Sequence, residues 1–347
     1  MAAPTIQAFK YVPYQWDESI ATSLHGDEVS LLLYRSNLLG ADLRLTNYGG
    51  GNTSCKIIQP DPLTGEPVEV MWIKGSGGDL GTLKKNGLAA LYVNRLTALK
   101  KIYKGIDKED EMVELFNHCI FDLNSKAPSI DTPLHAFLPF KHIDHLHPDA
   151  AIAIAASKDG KKITEELFKG QIGWVNWKRP GFDLGLELRK TLDANPSMHG
   201  IMLGNHGLFT WGNTSFECYI NTLETIEKCA AYIEKSIVVK GKVFGGNRVT
   251  SLPKEERIRY AAQLTPALRG LCSSHTKMIG HFTDDERVLE FMNSNSFSQL
   301  APLGTSCPDH FLRTKISPLI IELPSSLHAG DPVAVREQLF PAFSEYR

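Results

Sequence analysis

Apolar residues in DEVSLLLYRSNLL (27–39) recur at helical spacing and the run stops at Gly40, which predicts a helix. The pattern then changes to short apolar runs punctuated by glycine and proline. A glycine run leads into a strand over Cys55–Ile58, and Val68–Ile73 predicts a buried strand. The intervening IQPDPLTGEP predicts a hairpin connection. Residues 83–122 predict mostly helix, with LAALYVNRLTALKKIY (88–103) the clearest part. PSIDTPLHAFLPF (128–140) predicts a helix start, with Asp131 or Thr132 as cap and Pro133 in the first turn. A histidine-bearing strand over 142–147 stops at Pro148, and Asp149–Ser157 continues the apolar pattern. Residues 181–194 predict a helix, Gly200–Trp211 a hairpin, and 214–238 a long amphipathic helix. Gly241–Asn247 is the candidate linker. Two or three helices follow, then HFLRTKISPLIIELP (310–324), which predicts at least one short strand. The sum is an α/β body over 1–240 and a mostly helical C-terminal extension over 248–347.

Composition narrows the classes. At 42% hydrophobic and 22% charged residues, the 347-residue chain has the make-up of a globular protein with ample core. Lysine plus arginine (37) nearly balances aspartate plus glutamate (39), which removes the electrostatic argument for nucleic-acid or membrane-surface partners. No long apolar stretch exists, and MAAPTIQAFKYVPYQW lacks the pattern of a secretory leader. A cytoplasmic protein is expected, with its six scattered cysteines reduced and filling core.

The candidate chemistry starts with histidine. In KHIDHLHPD, His145 and His147 are two apart, and on a strand they leave one face roughly 7 Å apart, so two imidazoles converge on one ion. His206, between Asn205 and Gly207, offers a third. Three neutral imidazoles suit Zn²⁺ and leave a coordination position open for substrate. A lone histidine on an apolar strand is more often a satisfied core residue, and His142 is a rival ligand. On a helix, 142 and 145 would be neighbours; strand spacing sends His142 to the opposite face. Pro148 and the alternating isoleucines after it favour the strand.

Asp131 has two readings. A metal that polarises a carbonyl needs a carboxylate nearby to move an adjacent proton, and dry surroundings raise its pKa toward the working pH. The plainer role is a helix cap worth about 1 kcal/mol. GGGNTS (49–54) and KGSGG (74–78) present backbone N–H groups and hydroxyls suited to a phosphate, though each alone also reads as a tight turn. GSGGDLG is no dinucleotide fingerprint: its spacing is GxGxxxG and no βαβ unit surrounds it. In SCPDHFLRTK (306–315), His310 and Arg313 are polar residues without an assigned role.

Taken in order, GGGNTS, IKGSGG, PSIDTPLH, HLHPD and GNHGLFTWG resemble the class II aldolase/adducin family over about residues 28–240. The resemblance is greatest to the aldolase half of bifunctional rhamnulose-1-phosphate aldolase/alcohol dehydrogenase proteins, where a stretch like GTSCPDHFLRTK (304–315) precedes the dehydrogenase. No dinucleotide fingerprint occurs before Arg347, so the dehydrogenase half is expected to be absent. The resemblance implies a three-layer α/β/α domain on a central, largely antiparallel sheet, and a homotetramer with sites between subunits. It makes His145, His147 and His206 zinc ligands. Gly51, Asn52, Ser76, Gly77 and Ser129 then hold the substrate phosphate, and Asp131 is the acid/base. The implied activity is zinc-dependent retro-aldol cleavage of a ketose 1-phosphate, best matched by L-rhamnulose 1-phosphate giving dihydroxyacetone phosphate and L-lactaldehyde. Two departures stand out. Aldolases usually carry glutamate where Asp131 stands, and aspartate there is the pattern of the related ribulose-phosphate 4-epimerases. Ile130 also replaces the second phosphate-side serine. The alternatives are therefore a pentulose 5-phosphate 4-epimerase and a non-catalytic adducin-like scaffold.

Overall fold

Strand-length apolar runs pair into one seven-stranded sheet at the centre of the chain's larger unit. A computed structural model describes residues 9–321 and 332–346. The strands are β1 (Asn52–Pro60), β2 (Pro67–Lys74), β3 (Leu88–Tyr92), β4 (His142–Leu146), β5 (Ile172–Val175), β6 (Gly200–Leu203) and β7 (Gly207–Gly212). Their order is β3-β2-β1-β4-β7-β6-β5, and only β5 and β6 run parallel. Contacts divide the chain into Met1–Ser236 with Ser306–Asp309, and Ile237–Thr305 with His310–Arg347. The sheet belongs to the first unit. The second is built from helices, with Lys254–Cys272 packed against Pro332–Tyr346.

Period-two alternation sorts side chains to two cores, one on each face of the sheet. Val70, Trp72, Leu88, Ala90 and Leu146 pack with helices Glu28–Gly40, Asp149–Ala155, Gly160–Phe168 and Ser215–Lys240. Met71, Ile73, Ala89, Leu91, Ile143 and Phe209 face the other way. They meet helices Val93–Ala98, Glu109–Leu115, Thr132–Ala136 and Phe182–Ala194. Helices on both faces of a mostly antiparallel sheet make the three-layer architecture.

Three sequence expectations are corrected. LAALY (88–92) is strand β3, not helix: all five residues are buried, Leu88 to Leu91 alternate between the two cores, and an unbroken apolar run does not separate period two from 3.6. Asp149–Ala155 is a helix rather than a continued strand. Asp149 sits in its first turn, and Ala151, Ile154 and Ala155 present the i, i+3, i+4 face to the core. The strand expected in 310–324 is absent from the described residues; Pro308–Arg313 is helical, and 322–324 lie outside them.

The back of β4 is fixed by a fully buried network. Arg35 Nε donates to Asp144 Oδ1 at 2.9 Å, Nη1 to Ser215 Oγ at 2.8 Å and Nη2 to the Ser54 carbonyl at 3.0 Å. Thr222 Oγ1 donates to Asp144 Oδ2 at 3.1 Å. Both charges have no solvent exposure, so neither has water as an alternative partner. Removing one buried partner leaves the other uncompensated, at a cost of about 3–5 kcal/mol. Arg35→Met is expected to lose that much stability in urea titration; a loss under about 1 kcal/mol contradicts this account of the network.

Candidate metal centre

β4 lies between β1 and β7, with His145 opposite Asn52 on one side and Phe209 on the other. Alternation sends Ile143, His145 and His147 to one face. His142 and Asp144 go to the Arg35 face, where His142 Nδ1 lies 3.0 Å from Arg35 Nη1. The rival ligand is thereby separated from the cluster. His206 comes from the turn between β6 and β7, where Asn205 takes a left-handed conformation (φ 53°) that asparagine tolerates well. His206 N then donates to the Leu203 carbonyl at 3.1 Å. Gly207 follows for a steric reason: a Cβ there would lie 2.5 Å from His147 Cδ2 and 2.6 Å from the Leu146 carbonyl oxygen.

The three rings meet through their Nε2 atoms. His145 Nε2 is 3.2 Å from His206 Nε2 and 3.1 Å from His147 Nε2. All three rings are buried. A tetrahedral ion with nitrogens at about 2.0–2.1 Å sets them roughly 3.3–3.4 Å apart, so the spacing fits a shared divalent metal. Partners on the far side of two rings set their orientation. The His145 ring stacks on Phe209 (4.2 Å between centroids, 9°), and its Nδ1–H donates to the Leu208 carbonyl at 3.1 Å. His147 Nδ1 is 2.5 Å from Asp309 Oδ2. Burial, reinforced by the neighbouring imidazoles, pushes the pKa of His145 and His206 well below the usual histidine value. They are neutral, the form that binds a metal.

Asp131 occupies the N-cap position of helix Thr132–Ala136 without making a cap bond. Its half-buried carboxylate instead accepts from Ser129 Oγ at 3.4 Å. Burial raises its pKa; His147 and Lys74 oppose that rise, and Asp309 adds to it. The carboxylate thus lies within electrostatic reach of the histidine cluster and is not used up in capping.

The glycine loops meet at the same end of the sheet. Asn52 Nδ2 donates to the Lys74 carbonyl at 3.0 Å, joining the start of β1 to the end of β2. Ser76 N donates to the Ala127 carbonyl at 3.2 Å, joining the next loop to the segment that carries Ser129 and Asp131. Gly51 packs against the His145 carbonyl. Asn52 and Ser129 are buried, while Ser76 and Gly77 are exposed on their loop.

Sequence reasoning missed Asp309, which is 162 positions from His147 along the chain. Its neighbour His310 is exposed, and the side chain of Arg313 lies outside the described residues. The signal available for Asp309 was the density of polar residues in SCPDHF within an otherwise helical tail.

The family model for the class II aldolase and adducin N-terminal domain matches residues 32–233, and that for the second domain of class II aldolases matches 259–347. An uncharacterized oxidoreductase, YuxG, from Bacillus subtilis (strain 168) is 41% identical over 311 residues. That match covers 90% of this chain but 44% of the relative, so the chain spans less than half the relative's length. A solved N-terminal class II aldolase domain of a conserved protein from Thermoplasma acidophilum is 30% identical with a TM-score of 0.54; the match covers 65% of this chain and 99% of that one.

His147→Ala is expected to leave far-UV circular dichroism unchanged and to weaken metal binding by more than the ~10–100-fold that loss of an outer partner gives. Metal content after gel filtration, by mass spectrometry, checks this. Stoichiometric metal in the variant contradicts the ligand assignment.

Proposed function

This chain belongs to the class II aldolase and adducin family, and we propose that it is a zinc-dependent lyase that cleaves a ketose 1-phosphate by a retro-aldol reaction. The observation that carries the proposal is the convergence of three buried Nε2 atoms beside a carboxylate that does not cap its own helix. L-rhamnulose 1-phosphate, giving dihydroxyacetone phosphate and L-lactaldehyde, is the substrate we put first. A cytoplasmic homotetramer belongs to the same reading; among the described residues no helix is long and apolar enough to cross a membrane.

His145, His147 and His206 hold the metal. When bound there, zinc supplies a Lewis acid that polarises the ketose carbonyl and stabilises the negative charge left by carbon–carbon cleavage. Asp131 moves the proton at C3, delivering it after cleavage and removing it in the aldol direction. Burial raises its pKa in the metal-free protein, and a carboxylate there can accept and return a proton. Ser129 donates to that carboxylate and fixes its direction. Gly51, Asn52, Ser76, Gly77 and Ser129 bind the phosphate through N–H and O–H donors, and Lys74, buried at the end of β2, contributes positive charge. Phosphate binding energy positions the reacting carbons.

A second reading rests on Asp131 itself. Its carboxylate is one methylene shorter than glutamate's, and misplacement by 1 Å can cost on the order of 100-fold in rate. A 4-epimerase acting on a pentulose 5-phosphate breaks and remakes the same bond and accepts aspartate there. An adducin-like scaffold is disfavoured, since it has no use for three convergent imidazoles.

The test is release of dihydroxyacetone phosphate from L-rhamnulose 1-phosphate, before and after chelation and with zinc restored. Release that chelation abolishes and zinc restores is expected, and Asp131→Ala should lower it by about 10²–10⁴-fold. Zinc-loaded protein that frees no product and epimerises a pentulose 5-phosphate overturns the aldolase reading in favour of the second.

A further inference from the structure

We propose that Asp309 is a positioning residue for the metal centre, holding His147 in the orientation and tautomer that aim its Nε2 lone pair at the ion. This rests on the metal reading above and extends the centre to a residue outside the N-terminal domain match at 32–233; Asp309 falls instead in the segment 259–347 that matches the second domain.

Geometry makes the case. Asp309 Oδ2 lies 2.5 Å from His147 Nδ1, within hydrogen-bond distance, and both residues are buried. A carboxylate can only accept, so Nδ1 carries the hydrogen, and in the neutral ring the lone pair is then on Nε2. That Nε2 is the atom 3.1 Å from His145 Nε2. Asp309 therefore approaches the far side of the ring and is not itself a ligand.

The three histidines differ in what supports them. His145 donates to a neutral carbonyl, and His206 Nδ1 is buried with no hydrogen-bond partner among the described residues. Asp309 thus supplies a negative charge to an otherwise neutral set, and such outer partners raise ligand basicity and are typically worth 10–100-fold in metal affinity. The chain also makes room for it: a Cβ on Gly50 would stand 2.3 Å from Asp309 Oδ2. Although its sequence neighbours belong to the helical unit, Ser306–Asp309 packs as part of the sheet-bearing unit.

The experiment measures zinc affinity of the full chain by competition with a chromophoric chelator, for wild type, Asp309→Asn and Asp309→Ala. Absorption spectra of the Co²⁺-loaded proteins are recorded alongside. Asparagine keeps an acceptor oxygen but no charge, and alanine keeps neither. Affinity should fall about tenfold in the first and about 100-fold in the second, with the Co²⁺ bands shifted in both. Wild-type affinity, within twofold, and an unchanged Co²⁺ spectrum in both variants overturn the role of Asp309 and leave the metal reading standing. Wild-type protein that binds no zinc overturns the metal reading and this inference with it. Should Asp309→Ala fail to fold, the near-isosteric Asp309→Asn decides by the same criteria.

Discussion

Everything at the site depends on β4 being hydrogen-bonded on both sides. Paired with β1 and β7, it cannot shift register, and a slip of one residue would turn His145 and His147 into the Arg35 face and bring His142 to the opposite one. The Arg35–Asp144 pair behind the strand acts in the same direction, because a buried aspartate with one guanidinium within reach has one satisfactory orientation. The imidazoles on the front are therefore positioned by backbone pairing and buried charge, not by loop conformation. His206 is the exception, and its turn is constrained by the left-handed Asn205 and by the close approach of Gly207 to the His147 ring.

Two carboxylates flank the same imidazole with different duties. Asp309 is spent on His147 Nδ1 in a direct hydrogen bond. Asp131 senses His147 through space, accepts one long bond from Ser129 and leaves its helix uncapped. A side chain that forgoes a cap worth about 1 kcal/mol is available to a substrate. Its raised pKa follows from the partly dry environment that the helices over this face create.

Much of this was legible along the chain because periods of two and 3.6 leave clear traces where polar and apolar residues alternate. The HxH pair on a strand, the Gly200–Trp211 hairpin and the helix ending at Gly40 all follow from such contrast. Contrast failed where every residue was apolar, as in LAALY, and where two isoleucines two apart mimicked a strand in DAAIAIA. Asp309 was illegible for another reason: an aspartate after proline at a helix start looks like ordinary helix chemistry, and only the fold brings it to a histidine 162 residues away. Asp131 was seen, but its freedom from capping depends on where Ser129 points, which spacing does not encode.

An open site of three imidazoles, two from β4 and its end and one from the β6–β7 turn, has a direct spectroscopic signature in X-ray absorption at the zinc edge of the metal-loaded chain. Three imidazole nitrogens and one oxygen at about 2.0–2.1 Å are expected. Sulfur at about 2.3 Å, or ligands without the multiple-scattering pattern of three imidazoles, would contradict such a site.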